Sequence, residues 1–145
     1  MKPELGRLYP VTWAGWPPHM AARDIPIWNR WKTAHANDYQ GFFYDVALGD
    51  GTDPGPEGDP TYRYAFIRLT RLRADAIGVQ KDAWTLFEVR PNAGAGALGA
   101  LVTYAALWRL DPPDKRSLRP LLITDQIRPD LRPIYAAAGI DIITV

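Results

Sequence analysis

Glu88 and Arg90 stand two residues apart in the segment LFEVRPNAGAGALGALVTY, residues 86–104. In an extended strand, residues i and i+2 share a face, so an acid and a base project side by side. That pairing suits metal-assisted cleavage of phosphodiesters, where a carboxylate holds the cation and a basic group steadies developing charge. The same segment spells G-x-G-x-x-G at Gly94, Gly96 and Gly99. It follows a strand pattern and opens a helix pattern, the context of a dinucleotide-binding loop. A third reading is that neither chemistry operates and the chain is a packing or assembly module.

A hairpin adds a second acid to the face of Glu88. With Lys81-Asp82 as a two-residue turn, Gln80 opposes Ala83, Asp75 opposes Glu88, and Arg73 opposes Arg90. Opposed residues point to one face with Cβ atoms about 4.5–5.5 Å apart. Two carboxylates that close share a proton, bind a cation or are neutralised by bases. The register hangs on the turn, and a slip of one residue undoes it.

The elements that must carry these residues follow from patterning. A helix begins at Asp24, capped by it, with Pro26 in the first turn and Ile27, Trp28, Trp31, Ala34 and His35 at helical spacing. GFFYDVALG reads as a strand. DGTDPGPEGDPT is a surface loop; its four carboxylates (Asp50, Asp53, Glu57, Asp59) lack the D-x-D-x-D-G spacing of a calcium loop. Residues 62–80 read as strand, 83–90 as its partner, and 94–110 as a helix with Leu98, Leu101, Val102, Ala105 and Trp108 on one face. The glycines of its first turns are read as a means of close approach to the sheet, so that Gly99→Leu would overpack. LLIT is a strand, RPDLRPIYAAAG a short helix ended by Gly139, and IDIITV the last strand. The expected class is α/β, a mixed central sheet with an antiparallel hairpin and helices packed on it.

RADAIG and WTLFEVR, followed by AGALGALVTYAALW, LLIT and LRPIYAAAGIDIITV, resemble the PD-(D/E)XK nuclease-like superfamily over residues 60–145. The resemblance implies a restriction-endonuclease-like core. It also implies metal-ligand positions at Asp75 and Glu88, and Tyr104 and Trp108 on the following helix. The position of the family's Lys is held by Arg90, which cannot readily lose its proton. The family's helical Glu has no counterpart in the first helix. Arg73 and Arg90 are expected to pair with Asp75 and Glu88, giving a self-neutralised cluster. The resemblance thus implies a degenerate member, with Asp75, Glu88 and Arg90 as an inactive catalytic set and no cofactor; a magnesium ion on Asp75 and Glu88 belongs to the alternative, an active DNA endonuclease or exonuclease. Nucleotide binding by the glycine segment is a third reading. Pro91-Asn92-Ala93 separates strand from glycines, and Asp125 is the only acid offered for a ribose.

Composition narrows the classes. The 145 residues suit one domain, and 47% are hydrophobic, with six Trp and seven Tyr, as in a globular chain. A net charge of +1 gives no general pull toward nucleic acid. Cys is absent and only His19 and His35 are present, which excludes thiolate zinc sites and a His-rich metal site. Neither a membrane-spanning run nor a signal-peptide core is visible, so an intracellular setting is expected. Residues 1–22 read as an extended arm ahead of a nuclease-like α/β domain at 23–145. YPVTWAGWPPHM, with three Pro and two Trp, offers Trp13, Trp16 and Met20 as anchors for another surface. That surface is either the chain's own domain or a partner subunit, with the partner preferred. WPPHMAARDIPIWNRW resembles segments of small tailed-phage particle proteins. It implies a neck, tail or baseplate component, with other protein subunits as partners, in the virion or host cytoplasm.

Overall fold

The computed structural model describes residues 1–145. One mixed sheet of five strands runs in the order β1-β2-β3-β4-β5. The strands are β1 (Gly41–Leu48), β2 (Leu72–Val79), β3 (Ala83–Val89), β4 (Ser117–Thr124) and β5 (Asp141–Thr144). The first three form an antiparallel meander; β3, β4 and β5 are parallel. Helix α3 (Ala95–Leu110) links β3 to β4, and the short helix α4 (Arg132–Ala137) links β4 to β5. Both supply one core, through Leu101, Trp108 and Tyr135 packed with Ile77, Leu86 and Leu122. Helix α1 (Ile25–His35) covers the opposite face through Trp28 and Trp31, against Phe42, Phe87 and Leu121. The class expected from the sequence, a mixed α/β sheet with helices packed on it, is the class found. No helix is long and apolar enough to cross a membrane.

The hairpin register matches the sequence reading: Ala76 opposes Phe87 and Val79 opposes Trp84. Its reach does not. Residues 60–69 form helix α2 rather than strand. The Asp59 carboxylate accepts a hydrogen bond from the Thr61 amide at 2.9 Å, and Pro60 opens the first turn, so the acidic loop supplies a helix start. The aromatic and Ile content of 62–67 favours a strand, but α2 buries none of its residues.

The glycines of α3 correct a second expectation. A Cβ at Gly99 would meet nothing within 4 Å, whereas Ala97, Leu101, Ala105 and Trp108 are the buried stripe. Val102 is half exposed. Alanines, not glycines, let this helix approach the sheet. Gly99→Leu is therefore not an overpacking change. Gly99→Ala removes backbone freedom from an exposed helical position and is expected to raise stability by about 0.5–1 kcal/mol. A thermal melt of that variant checks it, and a fall in melting temperature would return Gly99 to the packed face.

The arm, residues 1–22, lies along its own domain. The Tyr9 amide donates to the Phe42 carbonyl at 2.8 Å and the Phe42 amide returns a bond to Tyr9 at 3.0 Å; the Glu4 amide bonds to Ala47. The arm thus pairs with the free edge of β1. Met20 is 4% exposed and belongs to the α1-side core, so it is closed to a partner. Trp13 packs on Tyr9 and Tyr44 with ring centroids 4.4 and 5.8 Å away. Only Trp16, 65% exposed, faces solvent as an arm anchor was expected to.

Candidate active site

Asp75 and Glu88 lie on β2 and β3 just where the hairpin ladder stops. The last opposed pair is Ala76 with Phe87. Beyond it the Asp75 carboxylate, rather than a backbone carbonyl, accepts the Val89 amide at 2.9 Å. The ladder ends there, and the charges of the two side chains act on each other. Glu88 is 4% exposed, and its Oε1 accepts from Arg90 Nε at 2.8 Å. Arg90 is held in turn near the start of α3, its Nη1 3.4 Å from where a Cβ on Gly96 would lie.

Arg73 is not part of this cluster. It sits opposite Ala47 of β1, and its Nη1 donates to the Asp45 carboxylate at 3.0 Å. The pairing of Arg73 with Asp75 or Glu88 expected from the hairpin is therefore corrected. The partner strand β1 offers Asp45 first, and the ladder to β3 has already ended.

Sequence reasoning missed a third acid. Asp24 precedes α1 but makes no capping bond; it already has helical φ and ψ. Its carboxylate is 7% exposed, with Oδ1 buried and without a hydrogen-bond partner. Its negative charge raises the proton affinity of both Asp75 and Glu88, while Arg23 and, to a lesser extent, Arg90 lower that of Asp24. The resemblance implies a Glu on the first helix; none lies inside it, and Asp24 stands at its start, where it reads as a cap. Asp45 and His19 complete the surroundings. The β1–β2 register puts Asp45 opposite Asp75, and His19 Nε2 lies 3.5 Å from Asp45 Oδ2. Both have left-handed backbone, at φ 52° and 58°. Such conformations cost on the order of 1 kcal/mol or more for non-glycine residues. Neither residue carried a sequence signal.

Burial dominates the electrostatics. It pushes Asp75 up to about 6, partly offset by the Val89 amide and aggravated by Asp24. It pushes Glu88 up to about 7, with the charge of Asp75 adding to it. Asp24 is also raised by burial, and the Tyr104 hydroxyl likewise. Tyr104 borders the cluster. Trp108 does not; it is buried against Trp84 at 5.3 Å between ring centroids. Arg90 serves Glu88 and Asp75, and Arg23 approaches Asp24 Oδ1 at 3.8 Å, so two guanidiniums face three carboxylates and the cluster is not self-neutralised. The donor set is hard oxygen, suited to magnesium. Yet no three His, Asp or Glu side chains are gathered closely enough to hold a metal ion together.

The glycine segment shows no phosphate cradle. Asn92, at φ 45°, and Ala93 tie the β3–α3 connection to β4 through Asp125 and Thr124. Asp125 is occupied by the Asn92 amide at 2.7 Å, not placed as a ribose ligand.

No protein-family model matches the chain, and no curated protein does. Among solved structures, a repair endonuclease from Pyrococcus abyssi aligns at a TM-score of 0.44 and 17% identity. The alignment covers 50% of this chain and 32% of that one. A likeness at that level identifies neither a family nor an activity.

Proposed function

We propose that the protein is a nuclease-like domain, restriction-endonuclease-like in its core, that does not cleave nucleic acid and acts as a subunit of a larger protein assembly. The observation that carries the reading is Arg90. It occupies the position where a Lys would serve the reaction, and it is bonded to Glu88 at 2.8 Å. A guanidinium there neutralises the ligand carboxylate and cannot give up a proton at neutral pH. Exposed apolar groups support the assembly role: Trp16 on the arm, Tyr62, Tyr64 and Leu69 on α2, and Leu110 at the end of α3. The setting we propose, a tailed-phage particle in the virion or host cytoplasm, is supported only by the resemblance of residues 16–31.

A second reading, a magnesium-dependent nuclease using Asp75 and Glu88, is favoured by one specific observation. Asp24 Oδ1 is buried without a hydrogen-bond partner, with the exposed Arg23 guanidinium 3.8 Å away, beside two acids that share Arg90. A cation would satisfy that oxygen. The deciding experiment incubates the protein with supercoiled, linear and single-stranded DNA in magnesium or manganese. No cutting above the buffer control is expected. Cutting that disappears in Glu88→Gln overturns the first reading and establishes the second.

A further inference from the structure

We propose that helix α2 is the contact through which two copies of this chain associate, antiparallel and side by side about a two-fold axis at Ala65. The inference rests on the assembly reading above and makes a second copy the neighbour.

Six of the ten large apolar side chains exposed on the protein, Met1, Tyr62, Tyr64, Leu69, Leu72 and Leu110, belong to α2 or to segments beside it. Met1 lines one groove with Tyr64 and another with Leu110, and Leu72 lines a third with Thr70, so these side chains share one end of the molecule. The helix has 10 residues and buries none of them. A helix that short is marginal in water without packing. Its outward stripe is Thr61, Tyr62, Ala65, Arg68 and Leu69, all exposed. These recur at i, i+1, i+4, i+7 and i+8, which places them on one face, and the set is symmetric about Ala65. In an antiparallel pair Ala65 meets its own copy, Thr61 meets Leu69, and Tyr62 meets the stem of Arg68. The smallest side chain thus stands on the axis, where the backbones come closest. Each flanking pair sets small against large, or a ring against an aliphatic stem. Charge is matched as well. The only charged residues of α2 are Arg63, paired with Asp53, and Arg68, paired with Glu4. A second copy therefore meets no like-charge repulsion, whereas a strongly acidic or basic partner finds no free countercharge. A patch whose two halves match each other is what an isologous contact requires. A pair of helices about 15 Å long lies at or below the lower end of the roughly 1,200–2,000 Å² of stable interfaces, so the dimer is weak and concentration-dependent.

The test is sedimentation velocity of the full chain over about 5–500 µM, a span that brackets weak association. The mean mass is expected to rise from one chain toward two. Ala65→Glu and Ala65→Lys each put two like charges on the axis, and each is expected to weaken association at least about tenfold, or about 1.4 kcal/mol. An equimolar mixture of the two variants is expected to restore it. Both are good helix formers at an exposed position, so each variant should keep the parent's melting temperature. A parent that stays monomeric at the highest concentration, variants that dimerise like the parent, or a mixture no more associated than either variant alone would each overturn the proposal. DNA-cleavage assays on the same samples keep the two inferences apart. A monomer that does not cut overturns the α2 contact alone; a dimer that cuts supports the contact and overturns the non-catalytic reading.

Discussion

Deleting residues 1–20 is expected to leave a chain that no longer melts cooperatively and that aggregates. The arm's contacts are with its own domain. Removing Met20 from the α1-side core costs about 1.5–3 kcal/mol, and Tyr9, packed on Tyr44 at 5.2 Å, adds to that. Three backbone hydrogen bonds to β1 are lost with them, baring an edge strand whose unpaired groups invite association with other chains. The buried Arg71 guanidinium also loses the Lys2 carbonyl at 2.7 Å and the Glu4 carboxylate, keeping the Gly49 carbonyl, and a buried charge short of partners is costly. Together these approach the whole stability of a small domain, about 5–15 kcal/mol. Circular dichroism melts and light scattering on the truncation check it. A soluble truncation melting within about 3 °C of the parent would show that the arm is dispensable to the fold. It would restore the reading in which the arm serves a partner.

What was legible in the sequence was whatever depended on local spacing. The Lys81-Asp82 turn fixed which residues of β2 and β3 oppose, and Asp75 and Glu88 consequently share a face as read. Alternation and flanking turn residues located β1 and β5, and Gly139, at φ 74°, ends α4 as expected. What failed depended on competition between partners far apart in the chain. Arg73 could pair with Glu88 across one strand or Asp45 across the other, and only the order of strands decides. Asp24 could cap α1 or turn toward the acids; the choice is set by helix entry and burial, neither of which spacing encodes. Residues 60–69 carry strand-prone side chains, yet the Asp59-Pro60 start and a position with no fully buried residue made a helix. The α3 glycines looked like a packing device because their position in the motif was visible and their direction was not.

Replacing Glu88 by Gln is expected to stabilise the protein at pH 8 and to flatten its stability between pH 4 and pH 8. Burial and the neighbouring Asp75 raise the folded-state proton affinity of Glu88, up to about 7, whereas an unfolded glutamate titrates near 4.3. The folded chain therefore holds more protons than the unfolded one across that interval, and stability falls as pH rises through it. The contribution is fully present below about pH 4 and gone above about pH 7. Asp75, raised to about 6, works in the same direction. Asp53, held down to about 2 by Arg63, acts oppositely and only at lower pH, so the difference between parent and variant isolates Glu88. Gln keeps an oxygen for Arg90 Nε and cannot ionise. The expected gain at pH 8 is on the order of 1–3 kcal/mol, vanishing near pH 4. Melts of both proteins at pH 4, 6 and 8 measure it. A variant less stable than the parent at pH 8 would mean that the Arg90 ion pair outweighs the cost of burial, and that the cluster is neutralised after all. The same melts repeated in magnesium separate the two functional readings. A parent that gains stability from the cation at pH 8 while Glu88→Gln does not would place a cation at the acids; equal, unchanged melts fit a site that has lost its metal along with its lysine.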